Sequence, residues 1–499
     1  MEQQTAPGGL TMGMAAGAPL CVDMDGTLVK SDTLVDSLLA MARQRPLDLL
    51  RIPGWIAQGK AAFKRRVVGA VALDVEHLPY NRELVTYLRQ QHGAGRRIYL
   101  ATAADAALSE RVARHLGIFD GVLASDGRRN LAGGNKLAAF RERFGDEFCY
   151  IGNALPDAEV LAACREPMTA NSSRRLRAAM RRTGTTPARM FEDRPPRGKA
   201  WLKAIRLHQW AKNMLIFIPL LLAHDRRPGT LVGAAIGFVS FGLCASATYI
   251  LNDLLDLEAD RRHRKKRSRP FAAGDLSAMA GMVVVTVFFW SAVALALLLP
   301  HAVRAAGGAP LEAPYKFLEW IGIYFVTTLA YSLVLKRKML IDVIVLSGLY
   351  TVRIMAGSAA TGVAVSTWLL GFSIFFFLSL AFVKRFSELE SLRSREGTVL
   401  NGRGYVMADL EQLRAFGTGI GCASAVVLTL YINDPSAVHL YRHPAWLWLV
   451  VPVLLLWLFR VWMLASRGEM DEDPVVYAIT DKRSLLLGVI VAGILLLAL

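Results

Sequence analysis

A chain of 499 residues, 54% of them hydrophobic, is long enough for more than one domain and too apolar to be soluble throughout. Its formal charge of +17 comes from Lys and Arg clustered beside long apolar runs, so anionic lipid and phosphate substrates are the expected partners and nucleic acid is not. The cysteines at 21, 149, 164, 244 and 422 have no metal-ligand or redox spacing and read as buried thiols of a reducing compartment.

Residues 1–18 have no basic start and no long apolar core, and are expected to be a disordered lead rather than a cleaved signal. Residues 19–171 have the composition of a soluble α/β domain. A buried strand is expected through Leu20-Cys21-Val22, and the Asp23-Met24-Asp25-Gly26-Thr27 loop behind it puts two carboxylates at the C-terminal edge of a sheet, where such folds bind ligands. A second strand at 97–101 leads to Thr102, a loop leads to Lys136, and a third strand at 149–152 leads to Asn153-Ala154-Leu155-Pro156-Asp157. These pieces point to phosphoryl chemistry. Between the first two lie segments of helical periodicity, Thr33 to Ala42 and Leu47 to Val71. There Leu49, Leu50, Ile52, Trp55 and Ile56 are followed by Lys60, Lys64, Arg65 and Arg66, a mixture of bulky apolar and basic residues that fits a helical lobe resting either on a membrane surface or on its own domain.

Residues 172–200, rich in arginine and interrupted by Pro187, Pro195 and Pro196, are expected to be a basic linker near an anionic leaflet. Residues 201–213 follow as an amphipathic lead into an all-α membrane bundle. Nine spans are expected, roughly at 210–225, 229–251, 279–300, 317–335, 339–360, 367–383, 412–432, 446–465 and 484–499. With the α/β domain inside, the inner loops hold seven basic residues (Arg261 to Arg269), three (Lys336, Arg337, Lys338), five (Lys384, Arg385, Arg393, Arg395, Arg403) and three (Arg467, Lys482, Arg483). The outer loops hold two, two, none and one, so the N-terminus is expected in the cytoplasm and the C-terminus outside. This orientation gathers on one side Tyr331 with Lys336, the Lys384 loop with Glu388 and Glu390, and the loop Asp471-Glu472-Asp473. Asp342 and Arg353 lie inside an apolar span, and ions there are expected to face the bundle interior, as a salt bridge or as functional groups.

The most informative stretch closes the second span: Asn252-Asp253-Leu254-Leu255-Asp256-Leu257-Glu258-Ala259-Asp260, followed at once by a basic tract ending Arg267-Ser268-Arg269-Pro270. If the helix continues, Asp253, Asp256 and Asp260 share one face. Three converging carboxylates need a cation, and Mg²⁺ carried by a polyphosphate suits hard oxygen ligands. Lys265, Lys266, Arg267 and Arg269 would then grip the phosphates.

Two resemblances follow. The order Asp23/Asp25, Thr102, Lys136, Asp157 resembles the haloacid dehalogenase (HAD) superfamily, with a Rossmann-like sheet and a helical cap. It implies Asp23 as nucleophile, Asp25 as general acid and base, Thr102 and Lys136 on the phosphoryl oxygens, and Mg²⁺ on Asp23, Asp157 and the carbonyl of residue 25. Asn153 stands where that superfamily usually has an acid. Residues 200–499 resemble the UbiA superfamily of intramembrane prenyltransferases. Arg206 with Gln209-Trp210-Ala211-Lys212-Asn213, the basic tract, Tyr331-Ser332 with Lys336, and Ile341-Asp342 are most like its phosphoribosyl-transferring members. That likeness implies phosphoribosyl diphosphate and a polyprenyl phosphate as substrates, with Mg²⁺ on Asp253, Asp256 and Asp260. Asn252, Arg206, Lys212, Tyr331, Lys336, Asp342, Arg353 and Lys384 would bind the donor or the lipid phosphate. Fusion of the two domains then implies a second step, removal of the 5-phosphate. An aromatic or quinone-precursor prenyltransferase is the alternative, although no second DxxxD motif stands in the Lys384 loop. A silent lipid-binding or regulatory module is another alternative, and oligomerisation is left open.

Overall fold

The structure is a computed structural model that describes residues 17–125, 131–393, 404–470 and 473–499. The lead up to residue 16, Arg395 and Arg403, and Asp471 and Glu472 lie outside the described residues. The chain forms two compact units. The first runs up to Ala204 and takes in Asp253–Met282; the second is Ile205–Asn252 with Val283–Leu499.

The first unit is built on a sheet of six parallel strands in the order β3-β2-β1-β4-β5-β6. The strands are β1 Leu20–Val22, β2 Ile98–Asp105, β3 Gly121–Ser125, β4 Cys149–Gly152, β5 Glu166–Ala170 and β6 Arg189–Phe191. Side chains alternate between the two faces, so Leu20 and Val22 join one core cluster with Leu100 and Ile151, while Cys21 joins another with Tyr99, Phe140 and Tyr150. Burial on both faces explains why these strands read as nearly continuous apolar runs. β1 is flanked by β2 and β4, so the order reverses around it and its C-terminal edge opens at a topological switch point.

One expectation is corrected here. The segment 172–200 is no linker: β6 lies within it, and the helix Arg174–Arg182 buries Leu176 and Met180 against Phe140. Arginines on the outer face of that helix masked a two-residue apolar stripe at i and i+4. The second and third expected strands are β2 and β4 of a larger sheet. The expected helical lobe is present as Thr33–Gln44, Ile52–Ala57 and Lys60–Ala70.

In the second unit and its flanking segments, six helices are long and apolar enough to cross a membrane: Pro228–Leu255, Ala278–Ala305, Ile341–Thr361, Thr367–Ser391, Met407–Ile432 and Pro444–Ser466. They correspond to six of the nine expected spans. The helices Lys316–Leu333 and Lys482–Ala498 stand at the fourth and ninth positions but are shorter, 18 and 17 residues. The first expected span is a 3-10 run, Leu207–Phe217, followed directly by a short helix, Ile218–Leu222, with Pro219 in its first turn. Small residues let backbones touch: a Cβ on Gly357 would lie 2.1 Å from the Ile216 carbonyl oxygen, and one on Gly233 would lie 2.3 Å from that of Ala360. The protein is thus an integral membrane protein with an α/β domain at its N-terminal end.

Candidate functional site

Three groups of polar side chains stand out. At the C-terminal edge of β1, Asp23 and Asp25 follow the strand directly. The ammonium of Lys136 donates to Asp23 Oδ1 at 2.8 Å and to the Tyr150 hydroxyl at 2.8 Å, and lies 3.5 Å from Asp157. Tyr150 in turn donates to Asp157 Oδ1 at 2.7 Å, while the backbone N–H groups of Asn153 and Ala154 donate to Asp157 Oδ2 at 3.1 and 3.0 Å. Thr27 donates to Asp23 Oδ2 at 3.2 Å, and the Thr33 N–H donates to Asp25 Oδ1 at 2.9 Å. Thr102 is buried within β2, its hydroxyl accepting from the Ala104 N–H at 3.0 Å. Gly26 has φ +79°, and a Cβ there would lie 2.0 Å from the Asn153 amide nitrogen, so only glycine admits Asn153 against the Asp loop.

Burial dominates the electrostatics of this group. It pushes the Asp23 carboxyl up to about 6 against the pull of Lys136. It pushes Asp25 up to about 7, with the neighbouring Asp32 adding to the shift. Lys136 is held above its ordinary value because Asp23 and Asp157 outweigh its desolvation. Tyr150 was invisible in the sequence, where it read as one more core residue of a strand. Lys64 was seen only as part of a basic patch; its ammonium donates to the Ala103 carbonyl at 2.7 Å, and its pKa is lowered by burial, against the pull of Asp25.

The second group is the aspartate-rich stretch. The expected continuous helix is corrected: Pro228–Leu255 ends, Asp256 is non-helical with φ −94° and ψ 14°, and a new helix Leu257–Arg262 begins. The break lets Asp253 and Asp260, both buried, converge on the Arg269 guanidinium at 3.0 and 2.7 Å. Burial raises the Asp260 carboxyl, and Arg269 opposes it. Asp256, at the break, lies 3.7 Å from Arg43 of the α/β domain. Lys265 and Arg267 are exposed and Lys266 half-buried on the following turn.

The third group lies in the second unit. Lys212 and Lys384 both donate to Asp473 Oδ2, at 2.7 and 2.8 Å, and the Tyr350 hydroxyl donates to Asp473 Oδ1 at 3.1 Å. Arg353 is buried among the rings of Phe241, Tyr324 and Tyr350 and donates to Asn213 at 3.0 Å. Two ammonium groups thus share one carboxylate, and Arg353 lies over the ring of Tyr350, whose hydroxyl donates to the same carboxylate. Tyr350 stacks on Phe377 at 4.8 Å, and Phe377 lines an apolar cavity of about 210 Å³ with Leu215, Phe372, Phe376, Trp457 and Val475. A charged seat therefore adjoins an apolar one. Asp473 was legible only as a member of a polar loop.

The remaining residues are placed differently. Asp342 does not pair with Arg353: it is fully buried and accepts from Arg385, itself fully buried, and from Tyr405. Arg385 also donates to Tyr331 at 2.8 Å and pairs with Glu388. With both carboxylate oxygens engaged, Asp342 has the geometry of a structural ion pair rather than of a substrate ligand. Arg206 takes a positive φ of 56° and stacks over Tyr249 at 5.3 Å. Asn252 and Lys336 are half-buried. Among the cysteines, Cys422 is exposed, against expectation.

Comparison with known proteins bears on these groups. The UbiA prenyltransferase family matches residues 214–485, more than half of the chain. The chain belongs to the UbiA prenyltransferase family. Uncharacterized protein y4nM of Sinorhizobium fredii is 37% identical over 485 residues, 96% of this chain and 91% of its own length. Nodulation protein NoeC of Azorhizobium caulinodans is 32% identical over 57% of this chain and 88% of its own length. The decaprenyl-phosphate phosphoribosyltransferase of Corynebacterium glutamicum is 37% identical over 39% of this chain and 57% of its own length. The UbiA match takes in the second group and, apart from Lys212 and Asn213 just ahead of it, the third, and leaves the α/β domain outside it.

Proposed function

We propose that this UbiA-family prenyltransferase moves a 5-phosphoribosyl group from phosphoribosyl diphosphate to a polyprenyl phosphate. Its α/β domain, read as a HAD-type phosphatase with a helical cap, then removes the 5-phosphate to leave polyprenyl-phosphoryl ribose. The observation that carries the first step is the pair of ammonium groups, Lys212 and Lys384, on the one carboxylate of Asp473, with the buried Arg353 over the ring of Tyr350, beside an apolar cavity. Such a seat suits an amphiphile with an anionic head. Similarity to decaprenyl-phosphate phosphoribosyltransferases supports the same acceptor.

In this reading Lys212, Lys384 and Arg353 hold the lipid phosphate, whose oxygen attacks the anomeric carbon as the bond to diphosphate breaks. Asp253, Asp256 and Asp260 form a hard-oxygen donor set, and two of them already converge on a single cation, so they fit Mg²⁺ carried by the diphosphate. Mg²⁺ bound there would neutralise charge on the leaving group. Arg269, with Lys265, Lys266 and Arg267, adds fixed positive charge. Arg206, Asn252, Tyr331 and Lys336 remain candidates for donor contacts.

In the second step Asp23 attacks phosphorus, Asp25 protonates the ribose oxygen and then takes a proton from water, and Thr102 and Lys136 hold the phosphoryl oxygens. Asp23, the carbonyl of residue 25 and Asp157 would hold the second Mg²⁺. The fit is thinner here, because Asp157 already accepts three hydrogen bonds and Asn153 brings no charge. The Lys and Arg asymmetry supports nine spans with the α/β domain and the polar loops on the cytoplasmic side.

The test of the first step is to offer purified protein phosphoribosyl diphosphate or a prenyl diphosphate with a polyprenyl phosphate and with an aromatic acid, then weigh the lipids. Only the first donor with the lipid phosphate is expected to react. Prenylation of the aromatic acid would replace this reading.

A further inference from the structure

Within the first unit, the helix Thr33–Gln44 joins the two sets of carboxylates. At its start the Thr33 N–H donates to Asp25 at 2.9 Å, and Asp32 caps it by accepting from Leu34 and Val35. One turn on, Asp36 forms an ion pair with Arg261 at 2.9 Å, their side chains only 1% and 4% exposed. Arg261 also donates to Ser31 at 3.1 Å and to the Ala272 carbonyl. At the far end of the helix, about 18 Å along, Arg43 stands 3.7 Å from Asp256, and Gln44 donates to Glu258 at 3.0 Å. Glu258 accepts in addition from the Asp74 N–H at 3.2 Å, and Arg262 donates to Asp74 Oδ2 at 2.6 Å. Residues of the α/β domain therefore hold the short helix Leu257–Arg262 through Glu258, Arg261 and Arg262.

The break at Asp256 gives these contacts their weight. Asp256 caps the short helix, its carbonyl accepting from the Asp260 N–H at 2.8 Å, but its φ and ψ are non-helical and its side chain makes no capping bond, so the carboxylate is aimed by its side-chain partners. A cation beside it also relieves repulsion among neighbouring carboxylates.

We propose that the α/β domain is a working part of the aspartate-rich site: Arg43 is a positioning residue for Asp256, and the Asp36–Arg261 pair fixes the short helix that carries Asp260. This rests on the reading that these aspartates take the donor diphosphate. It makes the α/β domain necessary for transfer independently of its own hydrolytic chemistry.

The test uses full-length protein in lipid nanodiscs carrying Arg43→Ala, Arg43→Lys or, as a control on an exposed side chain, Arg51→Ala. Hydrogen exchange at residues 256–262 is expected to rise several-fold in Arg43→Ala, and to stay near wild type in Arg43→Lys and Arg51→Ala. The KM for phosphoribosyl diphosphate is expected to rise about five-fold in Arg43→Ala with kcat nearly kept, and hydrolysis of a small phosphate ester is expected to be unchanged. Unaltered exchange at 256–262 in Arg43→Ala would overturn the proposal, as would equal losses of transfer and ester hydrolysis. If the wild type releases no diphosphate at all, the donor reading falls, and the exchange result alone decides whether Arg43 positions Asp256.

Discussion

A single guanidinium nitrogen, Nη1 of Arg269, donates to Asp253 and to Asp260, which lie on two different helices. One arginine from the basic tract thereby ties both halves of a broken helix together. Arg269→Ala removes a fixed positive charge from two buried carboxylates, and we expect diphosphate release to fall about a hundred-fold. Arg269→Lys keeps the charge but loses the planar fork, and about ten-fold loss is expected. Initial rates of diphosphate release check both.

The third polar group predicts a different kinetic signature. Lys212→Met and Lys384→Met each leave Asp473 with one ammonium in place of two. If that seat holds the lipid phosphate, the KM for polyprenyl phosphate rises about ten-fold or more, while the KM for phosphoribosyl diphosphate holds. A matched rise for both substrates would take the seat away from the lipid.

Asp342 and Arg385 predict a stability effect. Both side chains are fully enclosed, so Asp342→Ala leaves the buried guanidinium with Glu388 as its remaining carboxylate and is expected to cost about 1–3 kcal/mol. A drop in the thermal midpoint of the detergent-solubilised protein would show it. Asp342→Ala with normal stability and lost transfer would make Asp342 a substrate ligand after all.

Asn153 sits against Gly26 at the mouth of the α/β site. Asn153→Asp is nearly isosteric and adds a charged oxygen beside Asp23 and Asp157. The Mg²⁺ concentration needed for half-maximal hydrolysis of a small phosphate ester is expected to fall about ten-fold. Transfer of phosphoribose in the same protein is expected to be unaffected.

What was legible in the sequence was chemistry carried by neighbours in the chain. Asp23 and Asp25 follow a buried strand, and Asp253 to Asp260 close a long apolar run; both patterns are local, so both could be read. Relationships set by distant partners could not. Tyr150 looked like one more core residue, because its hydroxyl meets Lys136 and Asp157 only once β4 is in place. The Asp342–Arg385 pair joins two spans, and nothing in either span names the other. The break at Asp256 has no glycine or proline to mark it; Arg43 and Arg269, its stabilising neighbours, come from far along the chain or beyond a turn. β6 was hidden by its brevity and by the arginines ahead of it.

The account stands most directly on the fate of the lipid. Purified protein given labelled phosphoribosyl diphosphate and a polyprenyl phosphate should yield polyprenyl-phosphoryl ribose, and Asp23→Asn should stop at the product that still carries the 5-phosphate. If Asp23→Asn gives the same dephosphorylated lipid as the wild type, the α/β domain does not perform the second step and the two-step account is wrong.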